Sequence, residues 1–211
     1  MYQSLLPFLD IVKEKHFDDI VLSFKSSSVP HTVECNRQLA QRLDADGYHF
    51  PIHLGITEAG NAEIARIKGA IGIGSLLLDG IGDTLRVSLT EDPVNEIRVA
   101  YDILQATQRR ITQPEYVACP SCGRTQFDIQ KILNEIKQHT AHLKDIKIAV
   151  MGCIVNGLGE LANADFGYVG AGPGKVNLYA HGHCLRTNIE ESSAVHTLLD
   201  IIQTDRKLDS I

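Results

Sequence analysis

Cys119 and Cys122 stand two residues apart in Cys119-Pro120-Ser121-Cys122, and Cys153 follows thirty-one residues after the second thiol. Thiols at the first spacing reach one metal centre from a single turn, with backbone amides left to bond the sulfurs. A third cysteine arriving on a separate strand could complete one face of a cubane. A bare Cys-x-x-Cys pair serves equally as a redox dithiol or as half of a zinc site. The thioredoxin-like reading is disfavoured, because that dithiol opens a helix directly and here Gly123-Arg124-Thr125 intervenes. Zinc needs a fourth ligand, which His181, His183 or Cys184 could supply. On the thiols alone that alternative stays open.

The residues after the third thiol carry a further donor. In Cys153-Ile154-Val155-Asn156-Gly157-Leu158-Gly159-Glu160 a carboxylate stands seven positions on, past two glycines that permit close backbone approach to a cofactor. A carboxylate is a weaker, more exchangeable iron ligand than a thiolate. One such position would leave an iron able to take a substrate oxygen.

A second group of candidates lies in residues 1–110. Lys25 and Arg86 interrupt otherwise apolar runs, and Ser88 follows Arg86 two positions on. A charge buried there without a partner costs at least several kcal/mol. An anionic ligand such as a diphosphate removes that cost, and suits Lys and Arg geometry. The structural alternative pairs Arg86 with Asp83 or Glu91. Glu58 follows the apolar run His53–Thr57, where it is either a proton donor or a first-turn helix residue. His53 lies mid-strand, facing a ligand or simply packed.

These side chains need elements to hold them. Residues 1–110 repeat one pattern three times, a β-branched apolar run followed by an amphipathic helical stretch. The runs are Asp19–Lys25, Pro51–Ile56 and Thr84–Leu89; the helices are about Thr32–Ala45, Ala62–Leu78 and Pro93–Ala106, with Tyr2–Lys15 in front. Such alternation implies an α/β fold with parallel strands and helical crossovers, whose functional side chains gather at the carboxyl ends of the strands. Beyond a short polar linker near Gln108–Pro114 the rhythm changes. Strands are expected at Tyr116–Ala118, Ile146–Met151, Phe166–Val169 and Lys175–Ala180, the last two antiparallel. Helices are expected at about Asp128–His142 and Glu190–Gln203. This second region, 111–211, reads as a small α+β domain with the cysteines in its loops.

Other features have plainer readings. Cys35 is expected as a packed thiol within a helix, His181–Cys184 as a hairpin end, and Gly170–Gly174 as a turn, since no helix with Lys-Ser/Thr follows it. Lys13, Lys15 and His16 end a helix, where positive charge suits the dipole. The totals narrow the classes. A chain of 211 residues with 44% apolar and 22% charged residues can build a sizeable core. A net charge of −6 argues against a general nucleic-acid binder. No apolar run is long enough to span a membrane, and the first residues do not read as a signal peptide. Five cysteines are an odd number for a disulfide framework. The expected setting is cytoplasmic, with the cysteines as thiols.

Ala118–Asp128 (ACPSCGRTQFD) and Met151–Glu160 (MGCIVNGLGE) resemble the two signature blocks of the 4-hydroxy-3-methylbut-2-enyl diphosphate synthase family. The resemblance continues through His53–Gly60 (HLGITEAG) and Gly80–Leu89 (GIGDTLRVSL), so it covers nearly the whole chain. One departure is Leu158, where the family usually has proline. The resemblance implies a 4Fe-4S cluster held by Cys119, Cys122, Cys153 and Glu160. It implies a diphosphate held by Lys25, Arg86 and Ser88 with His53 nearby, and Glu58 as the proton donor. The implied reaction is reductive ring opening of 2-C-methyl-D-erythritol 2,4-cyclodiphosphate in non-mevalonate isoprenoid biosynthesis, with electrons from a ferredoxin or flavodoxin. The implied assembly is a homodimer.

A (β/α)8 barrel typically needs about 250 residues, and only residues 1–110 precede the cysteine domain. Three strands can be counted, and the resemblance matches them to the family's last three, which implies that residues 1–110 are the last three βα units of a TIM-type barrel and 111–211 the iron–sulfur domain. On this reading the chain is an incomplete C-terminal part, inactive or weakly active alone, with an apolar inner barrel face left uncovered. The rival expectations are a zinc-binding structural module and an inactive remnant.

Overall fold

Helix starts and stops are written locally. The structure, a computed structural model, describes residues 2–57 and 60–208, with side chains at 2, 156–158, 160, 207 and 208 outside the description. In residues 1–110, α1 covers Tyr2–Glu14 and α2 covers Val29–Asp46. The hydroxyl of Ser28 accepts the His31 amide to start α2, Pro30 occupies its first turn, and Gly47 closes it at φ 73°. Asn61 caps α3 (Ala62–Leu78) through the Ile64 amide. Asp92 caps α4 (Pro93–Ala106) through the Val94 amide.

The strands of this half are short. β1 (His53–Gly55) pairs in parallel with β2 (Thr84–Arg86), in the register His53 to Thr84, Leu54 to Leu85 and Gly55 to Arg86. The strand expected over Asp19–Lys25 does not form as such: within it only Leu22 bridges, in parallel, to Ile52. Beyond Leu22 the backbone is held by side chains instead of a strand, as described below. Leu22, Ile52, Leu54 and Val87 turn to the helices and pack with Leu39, Leu43, Ile73, Leu76, Val99 and Ile103. The alternate positions therefore occupy the opposite sheet face.

The chain divides into two compact units, Met1–Arg110 and Ile111–Ile211. The second is built on a five-stranded sheet in the order β3-β4-β5-β6-β7, comprising Glu115–Ala118, Lys147–Met151, Phe166–Gly172, Lys175–Ala180 and His183–Glu190. β3, β4 and β5 are parallel, while β5, β6 and β7 are antiparallel neighbours. Ile148 and Val150 face α5 (Ile129–Thr140) and α7 (Glu191–Leu208), joining Ile132, Ile136, Tyr168, Leu178 and Leu198. Ala149 and Met151 alternate to the other face, where they pack with Leu161 from α6 (Ile154–Leu161).

Two of these elements depart from expectation. β7 was not anticipated, because HCLRTNIE is mostly polar; as an edge strand it is exposed along nearly its whole length. The stretch after Cys153, expected as a loop, is the helix α6. Its Gly159 meets no side chain, so that glycine provides no close approach within this domain. Leu158 stands inside α6, where a proline would remove a helix amide.

Candidate functional site

The exposed sheet face of residues 1–110 collects cations. Arg86 on β2 and His53 on β1 lie on it, and Lys25 extends across β1. At Gly55 an added Cβ would stand 3.0 Å from Lys25 Cε and 3.3 Å from its Nζ, so the lysine passes directly over the glycine. Arg86 donates through Nη2 to the Ser88 hydroxyl at 3.1 Å. His53 Nδ1 lies 2.8 Å from Thr84 Oγ1. Ser23 donates to the His53 carbonyl at 2.8 Å, tying the Lys25 segment to β1.

The charges repel. Partial burial, then the neighbouring Arg86 guanidinium, holds the Lys25 amine below the usual lysine range. Burial, then Lys25, then Arg86 holds the His53 imidazole below the usual histidine range. The structural alternative for Arg86 fails on geometry. Glu91 is taken by Arg66, including an Nη2–Oε2 bond of 2.7 Å, and by Asn95 at 2.8 Å. Asp83 accepts the Ile52 amide at 2.8 Å. Among the described residues Arg86 has no carboxylate partner. Burial does not set it apart either, since Arg86 is exposed and Lys25 only half-buried. Like charge gathered without a counter-ion is the informative feature. Glu58 lies outside the described residues.

The cysteines lie in the second domain. Cys119 directly follows β3, and Cys153 follows β4 as the cap residue of α6, its side chain making no capping bond. These are the carboxyl ends of adjacent parallel strands, in register from Glu115 with Lys147 to Ala118 with Val150. Cys122 sits on the exposed turn between β3 and α5. There Thr125 accepts the Cys122 amide at 2.9 Å, and the Thr125 amide donates to the Cys122 carbonyl at 3.0 Å. The backbone amide of Arg124 leads the contacts that hold the Cys122 thiol below its ordinary range. Ser121 carries the turn at φ 64°. All three thiols are free.

Two glycines bring the loops together. The Gly152 amide donates to Cys119 Sγ at 3.2 Å, and the Gly152 carbonyl accepts from the Gln126 amide at 3.0 Å. A Cβ on Gly152 would strike the Thr125 side chain at 2.8 Å, and one on Gly170 would strike the Gly152 carbonyl oxygen at 2.4 Å. Neither position admits a side chain without displacement. Thr125, Gly152 and Gly170 are site-building residues that the cysteine spacing did not single out. Only the Gly152-Cys153 neighbourhood hinted at one of them.

The zinc alternative loses its fourth ligand. His183 and Cys184 pair with Ala180 and Tyr179, and Ala180 in turn lies beside Phe166 at the start of β5. That is the end of the sheet opposite Cys119 and Cys153, roughly 10 Å away along the strands and roughly 14 Å across them. His181 instead approaches Asp205, Nε2 to Oδ2 3.0 Å. Among the described residues no three His, Cys, Asp or Glu side chains converge as a single ion would require. Two free thiols at adjacent strand ends and a third on the turn after the first, with Cys119 already bonded by a backbone amide, form a donor set of the type that holds iron–sulfur clusters. Glu160 falls in the last turn of α6, and its side chain lies outside the description.

Both halves match known domains in the same order. Residues 1–101 match the GcpE TIM-barrel domain and residues 115–204 the GcpE protein C-terminal domain. The chain belongs to the GcpE family. Its relatives include proteins named 4-hydroxy-3-methylbut-2-en-1-yl diphosphate synthase (ferredoxin). The one from Gloeobacter violaceus is 50% identical over 97% of this chain and 52% of its own length. One from Synechococcus sp. (strain JA-2-3B'a(2-13)) is 52% identical over 97% of this chain and 50% of its own. One from Prochlorococcus marinus is 46% identical over 98% and 51%. The chain thus spans about half the length of the curated relatives it matches.

Proposed function

We propose that this chain supplies the cluster domain and part of the substrate barrel of an iron–sulfur reductase. The reaction opens 2-C-methyl-D-erythritol 2,4-cyclodiphosphate and dehydrates it to 4-hydroxy-3-methylbut-2-enyl diphosphate. Two electrons and two protons enter, a ring C–O bond breaks, and one water leaves. The observation that carries this reading is the convergence of Lys25, His53 and Arg86 on one open sheet face that shows no carboxylate among the described residues. A diphosphate would neutralise that face, with Lys25 and Arg86 bonding its oxygens and the Ser88 hydroxyl steadying the guanidinium. Glu58 would give the proton to the departing oxygen.

Cys119, Cys122, Cys153 and Glu160 would hold a 4Fe-4S cluster. When bound, that group supplies single electrons drawn from a ferredoxin or flavodoxin; the relatives' names favour ferredoxin. The Gly152 amide bond to Cys119 Sγ would stabilise the thiolate form of the ligand. We assign residues 1–110 to the last three βα units of a TIM-type barrel, residues 111–211 to the iron–sulfur domain, a homodimer to the assembled enzyme and the cytoplasm to its setting. No helix among the described residues is long and apolar enough to cross a membrane.

The test is the iron and acid-labile sulfide content of anaerobically reconstituted protein. Cys119→Ser, Cys122→Ser and Cys153→Ser each lose most of both, whereas Cys35→Ser and Cys184→Ser retain them. Loss in Cys184→Ser with retention in Cys153→Ser sinks the ligand set.

A further inference from the structure

Thr32 and Asn36 are two of the three buried polar residues among the described residues, with relative exposures of 1% and 0%. They stand one turn apart on α2, so both present to the same side of the helix. Asn36 Nδ2 donates to the Phe24 carbonyl at 3.0 Å and to the Thr32 carbonyl at 2.8 Å. The Thr32 hydroxyl accepts the Ser26 amide at 3.1 Å and lies 3.2 Å from the Ser26 carbonyl. Phe24 and Ser26 are the two neighbours of Lys25. We propose that Thr32 and Asn36 are positioning residues for Lys25, clamping the backbone on both sides of it so that its amine lies over Gly55 on the anion-binding face.

Burying an amide and a hydroxyl in an apolar core costs free energy unless their bonds replace those to water. Here the bonds go to the segment that fails to continue as a strand. Beyond Leu22 no strand among the described residues takes the carbonyl of Phe24 or the polar groups of Ser26, and α2 takes them by side chain. The orientation of Asn36 is forced. Its Oδ1 has no partner, and turning the amide over would aim that oxygen at two carbonyls. An unsatisfied buried oxygen is thus retained while the amide nitrogen holds Phe24. Lysine carries its charge on a flexible four-carbon stem with many rotamers. Fixing its root and resting its stem on a glycine removes much of that freedom before any anion arrives. The third buried polar residue, Thr140, is accounted for separately by Tyr116 at 2.7 Å.

The role rests on the reading of Lys25 as a diphosphate contact, and the experiment separates the two. The whole chain is reductively methylated with carbon-13, and the Lys25 signal is assigned by its loss in Lys25→Arg. It is titrated by NMR, and inorganic pyrophosphate binding is measured by calorimetry. Thr32→Val and Asn36→Leu are expected to return the Lys25 titration toward that of an ordinary lysine. Both are expected to weaken pyrophosphate about tenfold, the lower end of the loss when a ligand-holding group loses its supporting bond. Thr32→Ser restores both readouts. Leu39→Ala, which hollows the same helix's core, lowers the melting temperature and leaves Lys25 unchanged. If Asn36→Leu does not fold, the Thr32 pair decides. A Thr32→Val protein with reduced melting temperature but the parent's Lys25 titration and pyrophosphate affinity overturns the clamp. A parent that binds no pyrophosphate while its Lys25 titration still follows Thr32 overturns the anion reading and leaves the clamp standing.

Discussion

At the scale of single residues, the cationic face carries a proton signature. His53 and Lys25 are both held below their ordinary values, by burial first and by like charge next. A bound polyanion reverses the like-charge part and raises both, so binding takes up protons. For His53 the uptake falls between its lowered free value and its higher bound value, a window that opens below the ordinary histidine range. Pyrophosphate calorimetry in two buffers of different ionisation heat, at about pH 6.5, is expected to show proton uptake. Part of it disappears in His53→Gln; equal uptake by both proteins would remove His53 from the site. The same shift has a sign in folding. The folded state binds the His53 proton less well than the unfolded chain, so this contribution to stability is intact above the unfolded value. It is lost as pH falls through ~6.5 toward the lowered folded value. Pyrophosphate is expected to lessen that loss.

At the scale of elements, the helices were legible except α6, which was expected as a loop, and the strands only partly so. The starts expected at Ala62, Pro93 and about Asp128 coincide with caps at Asn61, Asp92 and Asp128, whereas α2 starts at Val29 on the Ser28 cap, before the expected Thr32. Capping is local chemistry, readable from neighbouring residues. Strand pairing is not local: Asp19–Lys25 has the composition of a strand, but only Leu22 finds a partner, because α2 claims the backbone beyond it. β7 has polar composition and becomes a strand by pairing with β6. The candidate cysteines stood out by residue type, whereas the glycines that let their loops meet act through contacts between distant segments. Gly170→Ala tests that point. Its Cβ would meet a backbone oxygen at 2.4 Å, which cannot swing aside as a side chain can. The expected cost is about 1–3 kcal/mol of stability, read as a lower melting temperature, together with loss of iron on anaerobic reconstitution. Gly172→Ala, which meets nothing within 4 Å, leaves iron content unchanged and serves as the control. Unchanged iron content in Gly170→Ala would show that the cysteine loop does not depend on this packing.

At the scale of the whole molecule, the apolar surface is not where an opened barrel was expected to show it. The open sheet face is polar and cationic, bearing Ser23, Lys25, His53, Thr84 and Arg86, because in a barrel of this kind that face would serve the ligand. Two helices carry most of the exposed large apolar side chains described in residues 1–110: Ile64, Ile67, Ile71 and Leu78 on α3, and Val94, Ile97 and Tyr101 on α4; Phe8 and Ile11 on α1, and Phe17 and Val21 after it, are the others. The α3 and α4 sets follow helical spacing on the side away from the sheet, so these helices are apolar on two faces, a pattern that belongs to buried helices. β2 also ends its sheet without a further neighbour among the described strands. The chain is therefore expected to self-associate through residues 1–110, seen as a concentration-dependent sedimentation coefficient. Ile67→Lys combined with Ile97→Lys reduces the association while leaving the iron content of the second domain intact. Hydrogen exchange is expected to be faster in residues 1–110 than in β4 and β5, which lie inside the five-stranded sheet. Since a full barrel needs about 250 residues, cyclodiphosphate turnover by this chain alone is expected to be absent or very low. It should rise when the part of its relatives' length that this chain does not span is supplied as a separate polypeptide. A monodisperse monomer with the activity of its full-length relatives would show that three parallel segments suffice for the pocket, and would overturn the assignment of these residues to part of a larger barrel.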